Sequence, residues 1–491
     1  MLSGVKPGRY FVQGDEAIAE GAIAAGCRFF AGYPITPSSE TSETMARRLP
    51  EVGGVCLQME DELASIHSVG GAAVGGLKAM TISSGPGISL KLEGLGWGIK
   101  NEIPYVVVDI QRAGPSNGVA TRVGQGDLYT VRYGSAGGNS CAIALSPKST
   151  QEAFDLTIEC FNFSEIFRCP VFLLSDETVG HTRELLVIPE ESELKVIKRI
   201  KPTVSPEQFV MYPLDTPGVI NHPFPNIGEG YGICVSPYTH TSKGYASTAQ
   251  EIQEKMAKRL VYKITENLDK LIRVEKQKME DAEFAVVAYG GNARPAIAAM
   301  EMARERGMRV GFFRPIIVWP FPDGEVLKVA EKVKAILVCE LNIDGQLVRE
   351  VARAAKGKAE VYHLPARAKR GRAGREGVWA SLYSSMMRAE ESIPSEYRER
   401  RPPAAITMKR GAPSRARTGG IMLPNGPMPS ALAQEGNISD SLQEEAYPQN
   451  QHHHRHDRLG KPHRDPQGQN LPGLVVTLQK SNGGMDEEQT D

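Results

Sequence analysis

Four short strings in this chain hold side chains whose types and spacing could do chemistry. GYPITPSSE, Gly32–Glu40, has two prolines that fix φ and stiffen a turn directly after a predicted strand. The turn leaves Thr36 and Ser38 exposed at that strand's carboxyl end, where open α/β sheets place their ligands. QMEDELAS, Gln58–Ser65, sets Glu60 just after the next strand and Asp61 and Glu62 in the first turn of a helix. Acids there offset the helix dipole, which accounts for all three unless one carboxylate is left to meet a cofactor nitrogen. TISSGPG, Thr81–Gly87, is a glycine turn opening a helix, and Ser84, Gly85 and Gly87 could present backbone N–H groups to an anion. It matches neither the Walker pattern nor the dinucleotide fingerprint. DIQRAGPSNG, Asp109–Gly118, ends a strand with Arg112 just beyond it, placed to grip a carboxylate through two parallel donors. Arg122 stands close by as a rival. Taken singly, each string has a plainer reading: a stiff loop, dipole-matched acids, a helix-opening turn, a surface arginine.

The elements around these strings make the plainer readings less adequate. Strand-like runs such as IPYVVVDIQR and PVFLLSD alternate with helical segments, and their near-continuous apolar character fits a parallel sheet covered on both faces. All four strings then fall at carboxyl ends of strands in one doubly wound α/β domain and face one crevice. Ser38 and Ser39 are expected to cap the helix that follows the first string. This domain spans about 12–195. Residues 196–280 are punctuated by prolines and end in a charged helix expected from about Thr248 to Met279, so they read as a linker and connecting helix. From 281 to 365 a second α/β unit repeats strand and helix, with FAVVAYGG, VGFFRPIIVWP, AILVCELN and AEVYHLP as its strands. Residues 366–491 turn basic and then rich in Pro, Gly, Ser, Gln and His, with HHHRH at 452–456, and are expected to be a disordered tail.

Composition narrows the class. At 491 residues the chain is too long for a single core, which stops growing at roughly 250–300 residues. A net charge of -1 gives no field that would call for nucleic acid. The seven cysteines include no CxxC pair, so zinc and iron–sulfur ligation lack their spacing signal, and reduced thiols are expected. No stretch reaches the roughly 20 apolar residues of a membrane span. A cytoplasmic protein with neither membrane nor nucleic-acid partner is the expectation.

The ordered set YPITPSS, Gln-x-Glu opening a helix, SGPG and an Arg-Ala pair closing a strand resembles the alpha subunits of 2-oxoacid:ferredoxin oxidoreductases, with the 2-oxoglutarate synthases and branched-chain enzymes nearest. The resemblance covers about 12–365. GGNARPA and CELNIDGQL in the second unit resemble landmarks of the transketolase C-terminal-like domain that these subunits carry.

The resemblance implies thiamine diphosphate shared across a subunit interface, with this chain supplying the pyrimidine-binding face. Glu60 would bond the pyrimidine N1′, with Asp61 and Glu62 in reserve. Ser84, Gly85 and Gly87 would line the cofactor. Arg112 would pair with the substrate carboxylate, Thr36 would bond that carboxylate or the keto oxygen, and Tyr33 and Ser38 would shape the pocket. The diphosphate and Mg²⁺ would sit on a beta subunit, since no GDG string occurs here. Iron–sulfur clusters would lie on partner subunits, gamma and a ferredoxin-like delta among them, with ferredoxin as acceptor and CoA and a 2-oxoacid as reactants. His240 reads as a surface histidine or a substrate contact. Three other readings stay open: a different thiamine diphosphate enzyme, a non-catalytic α/β scaffold subunit, and a CoA transferase using SGPG as a phosphate loop.

Overall fold

The structure, a computed structural model, describes residues 4–134 and 137–365. The expected tail at 366–491 lies outside the described residues. The first part of the chain folds as β1 (Gly8–Gln13), α1 (Gly14–Ala24), β2 (Cys27–Gly32), α2 (Ser39–Glu51), β3 (Val55–Gln58), α3 (Glu62–Val74), β4 (Lys78–Ser83), α4 (Gly85–Lys100), β5 (Val106–Ala113) and β6 (Val119–Val123). It continues as α5 (Leu128–Tyr133), β7 (Ala144–Leu145), α6 (Thr150–Phe167), β8 (Val171–Asp176), α7 (Glu177–His181) and β9 (Arg183–Ile188). After an irregular stretch come α8 (Gln250–Thr265), α9 (Leu268–Leu271), β10 (Val274–Gln277), β11 (Phe284–Ala288), α10 (Ala293–Glu305), β12 (Val310–Pro315) and β13 (Ile317–Trp319). The last described elements are α11 (Asp323–Ala330), β14 (Ala335–Glu340), α12 (Gln346–Ala355) and β15 (Glu360–Pro365).

The main sheet runs β13-β7-β8-β5-β4-β2-β3, with β2, β3, β4, β5, β7 and β8 parallel. Successive side chains on its central strands enter opposite cores, as a pleated strand requires. Val106, Val108 and Ile110 meet Ile18, Met45 and Phe154 from the α1, α2 and α6 side. Val107 joins Ile66, Ile88 and Leu95 from the α3 and α4 side. A strand buried on both faces has no polar phase, which explains the continuous apolar runs.

The second sheet runs β10-β12-β11-β14-β15, parallel except for β10. Two expectations change here. VGFFRPIIVWP is two strands: β12 belongs to the second sheet, whereas β13 crosses to pair antiparallel with β7 in the first. Pro315 lacks an N–H and closes β12, freeing the chain to change sheets. The charged helix expected to reach Met279 stops at Thr265, and Val274–Gln277 becomes an edge strand on β12. Glu and Lys favour helix only weakly, so pairing with an open sheet edge outweighs that preference.

Residues between β9 and α8 carry a single short 3₁₀ turn, Glu191–Glu193, yet they wrap closely on the first domain. Met211, Tyr212, Leu214 and Phe224 are buried in its core, and the buried Arg168 guanidinium donates to the Met211 and Pro223 carbonyls. All seven cysteines are free thiols.

Candidate active site

The strands β5, β4, β2 and β3 are adjacent in that order, and their carboxyl ends carry Arg112, Ser83-Ser84, Tyr33–Ser38 and Glu60–Glu62. Four strings far apart in sequence therefore line one edge. Arg112 and Thr36 meet directly: the Arg112 Nη1 donates to the Thr36 carbonyl at 2.6 Å. The Arg112 Nε has no hydrogen-bond partner among the described residues. Arg122 lies on β6, where its charge acts on Glu177 instead. Ser38 is buried, and both its N–H and its hydroxyl turn back to the Ile35 carbonyl, at 2.9 and 2.8 Å. It therefore closes its own turn and gives α2 no side-chain cap, contrary to the capping expected of it. Tyr33 is exposed beside it.

The three acids after β3 separate cleanly. Asp61 caps α3, its Oδ1 accepting from the Ala64 N–H at 2.7 Å. Glu60 is exposed at the lip of the edge. Glu62 is 5% exposed and lies beside Ser83 and Gly87. A Cβ built on Gly87 would come 2.1 Å from Ser83 Oγ and 2.4 Å from Glu62 Oε1. The glycine thus keeps open the space against the Glu62 carboxylate. Substituting Gly87 by Ala should cost about 1–3 kcal/mol of stability by overpacking against Ser83 and Glu62. Denaturant unfolding checks this.

Sequence reasoning did not single out Lys91, Asp109 or Asp127. Lys91 stands on the apolar stripe of α4 between Ile88 and Leu95, and that placement was its available signal. It is buried, its ammonium has no hydrogen-bond partner among the described residues, and burial pushes its pKa down to about 8 against the pull of Glu62 and Asp61. Asp109 lies within β5 opposite Ser83, the last residue of β4, beside the amino end of α4. Burial and then the Asp127 carboxylate hold its pKa well above the usual range, while the Gly85 N–H opposes them. Burial likewise lifts Asp127 to about 6, with Arg112 pulling the other way. The α4 N-terminus therefore already faces a carboxyl group of its own chain. His240 is fully buried, packed on Tyr212 with ring centroids 4.1 Å apart, near the far end of α4. It is neither a surface residue nor part of this edge.

The second domain closes onto the same edge. The Gly291 N–H donates to Asp176 Oδ2 at 2.7 Å, the Gln125 N–H donates to the Leu341 carbonyl at 3.0 Å, and Asn342 donates to the Gln125 carbonyl at 2.8 Å. The GGNARPA and CELNIDGQL strings are thus the docking surface of that domain. No helix among the described residues is long and apolar enough to cross a membrane.

A doubly wound sheet with a buried carboxylate beside a glycine-kept space defines, with its docked second domain, a thiamine diphosphate-binding α/β subunit. Residues 20–258 match the family described as pyruvate flavodoxin/ferredoxin oxidoreductase, thiamine diphosphate-binding, and residues 282–375 match pyruvate:ferredoxin oxidoreductase core domain II. The chain is 46% identical over 357 residues to the 2-oxoglutarate synthase subunit KorA of Methanothermobacter marburgensis, covering 72% of this chain and 94% of that one. It is 47% identical over 351 residues to the subunit of the same name from Methanocaldococcus jannaschii, covering 72% and 93%. Among solved structures it resembles the 2-oxoglutarate:ferredoxin oxidoreductase from Magnetococcus marinus, with TM-score 0.72, 27% identity, and 77% of this chain and 65% of that chain covered. The chain belongs to the KorA family of 2-oxoglutarate synthase subunits.

Proposed function

We propose that this chain is the pyrimidine-binding half of an enzyme that decarboxylates 2-oxoglutarate oxidatively with CoA, or runs the reverse reaction, passing electrons to ferredoxin. The observation that carries this reading is the pairing of a buried carboxylate at Glu62 with the Arg112–Thr36 contact on one sheet edge. Both sets of residues suit the cofactor and substrate that the relatives' names imply. When bound, thiamine diphosphate supplies an electron sink for the carbon that loses CO₂.

The residues of this chain position and polarise. Glu62 would hold the pyrimidine N1′, where a charged acceptor favours a protonated nitrogen and burial strengthens the bond. Glu60, the acid expected in that role from its place in the string, is the exposed neighbour and the alternative the mutants must separate. Ser84, Gly85 and Gly87 would border the pyrimidine, and the buried Asp109 carboxyl near the α4 N-terminus disfavours a phosphate there. The same carboxyl counts against a CoA transferase using SGPG as a phosphate loop. Arg112, anchored through Nη1 to the loop, presents its remaining donors to the substrate carboxylate, and Thr36 lies beside it with Tyr33 at the rim. The diphosphate and Mg²⁺ then belong to a beta subunit, and the iron–sulfur clusters to the gamma and ferredoxin-like delta partners.

The test is a viologen- or ferredoxin-reduction assay on the chain co-expressed anaerobically with its genomically adjacent partners, given thiamine diphosphate, Mg²⁺ and CoA. CoA-dependent reduction with 2-oxoglutarate is expected from the complex and not from the chain alone, with pyruvate and branched 2-oxoacids at least tenfold slower. A cofactor-loaded complex that reduces nothing would overturn the catalytic reading and leave a scaffold subunit.

A further inference from the structure

A second cluster of ligand-type side chains lies where the first turns of α1 and α2 face the end of α7. One ligand atom each from Asp15, Glu40 and His181 falls within 4.8 Å of the others. His181 Nε2 is 3.5 Å from Glu40 Oε2 and 4.0 Å from Asp15 Oδ2. Asp15 is fully buried, and neither of its carboxylate oxygens has a hydrogen-bond partner among the described residues; the same holds for His181 Nε2. Two buried groups that lack a hydrogen-bond partner, Asp15 and His181 Nε2, thus face the partly exposed Glu40 carboxylate at one point.

The backbone is arranged to allow this. A Cβ on Gly14 would come 2.1 Å from the Val179 carbonyl oxygen, and one on Gly180 would come 2.9 Å from Asp15 Oδ1. Two glycines therefore let α7 press against α1 and bring His181 to Asp15. Behind the histidine, Nδ1 lies 3.8 Å from Glu177 Oε1, too long for a hydrogen bond but close enough for a small rotation to make the carboxylate–histidine contact that orients a metal-binding imidazole. A cation about 2.0–2.2 Å from each of three ligands holds them about 3–3.6 Å apart, so only small side-chain movements would close the site.

A buried carboxylate with no hydrogen bond is costly and must be neutralised by a proton or a cation. Burial, then the charges of Glu40 and Glu16, drives the Asp15 pKa well up. The two neutralising partners make different predictions. A proton, whether shared by the two carboxyls or carried on His181 between them, leaves no metal to be found, whereas a mixed carboxylate and imidazole set suits Zn²⁺ and Mn²⁺.

We propose that Asp15, Glu40 and His181 bind a divalent first-row metal ion that ties α1, α2 and α7 together. Glu40 ends the GYPITPSSE string, and the Thr41 hydroxyl donates to the Asp15 carbonyl at 2.9 Å. The ion would therefore pin the base of the loop that carries Thr36, as a structural tie with no step in the reaction. The proposal is independent of the thiamine diphosphate reading.

The full chain, stripped with chelator, is loaded with Zn²⁺, gel-filtered and analysed for metal, beside Asp15→Asn and His181→Ala. The histidine-rich segment at 452–456 is common to all three proteins, so the difference between them isolates this site. Wild type is expected to retain one more Zn²⁺ per chain than either variant, and Zn²⁺ should raise its melting temperature but not theirs. Equal retention by all three, or the same Zn²⁺-induced melting shift in all three, would overturn the metal site and leave a proton, on a carboxyl or on His181, as the neutralising partner. Far-ultraviolet circular dichroism confirms that each variant is folded; Asp15→Asn, nearly isosteric, decides the matter if His181→Ala is not.

Discussion

Glu62→Gln in the assembled, cofactor-supplied complex is expected to cut turnover about 10²- to 10³-fold, equivalent to about 2.7–4 kcal/mol of lost electrostatic stabilisation. The amide keeps the shape of the side chain and removes its charge, so it can still accept a hydrogen bond but no longer favours a protonated pyrimidine nitrogen. Glu60→Gln should stay within about threefold of wild type, because an exposed carboxylate in water gains little from one such bond. Steady-state kinetics with 2-oxoglutarate, with unfolding curves to show that both variants are intact, make the comparison. The reverse pattern would give the pyrimidine contact to Glu60, and normal turnover in both would remove it from this turn altogether. A second consequence accompanies the first: Lys91 loses the charge that opposes its desolvation, so its pKa should fall below about 8 in Glu62→Gln.

Glu102→Gln is expected to cost about 3–5 kcal/mol of folding stability, the usual penalty for breaking a buried ion pair. Glu102 is 1% exposed and accepts from Arg259 Nη2 at 2.9 Å, Arg259 Nε at 3.2 Å and Lys263 Nζ at 3.3 Å. The charge of buried Arg168 acts on it as well. Removing the one anion leaves three buried cations facing each other. Although burial alone would raise its pKa, Lys263, Arg259 and Arg168 together hold the Glu102 carboxyl far below the ordinary value. The pH dependence follows from that direction. A group with a depressed folded pKa stabilises fully above its unfolded value, near 4.3, and loses that contribution as pH falls below it. Wild type should therefore lose stability below about pH 4.3 more steeply than Glu102→Gln. Arg259 also donates to the Pro217 and Val219 carbonyls, so the variant should loosen the irregular stretch before α8 and speed proteolysis there. Unchanged denaturant unfolding and unchanged proteolysis would show that this cluster contributes no net stability.

Much of this protein is legible in its residues. Alternating apolar runs and helical spacing specify a doubly wound domain, because strand and helix periods are local properties of the chain. The Pro-stiffened turn and the helix-opening glycines mark the carboxyl edge of the sheet for the same reason, and parallel topology brings the four strings together. Parallel topology puts Arg112 and Thr36 on one edge, but β4 lies between their strands, so only the folded chain shows that Arg112 reaches the Thr36 carbonyl.

What tertiary structure alone decided is direction and partnership. Glu60, Asp61 and Glu62 are chemically similar neighbours, but Asp61 is the N-cap and only Glu62 lies within α3, so the docking of that helix determines which acid points inward. Ile317–Trp319 reads as a continuation of the preceding strand, yet it joins another sheet because the nearest unpaired edge belongs to β7. Val274–Gln277 looks helical by composition and becomes an edge strand because β12 offers ladder partners. Asp15, Glu40 and His181 stand 25 and 141 residues apart along the chain, and no local pattern links them. Their convergence depends on two glycines that let α7 approach α1. Periodicity is written in neighbouring residues, whereas the facing of a side chain and the company it keeps depend on non-local contacts that form only when the sheet has assembled.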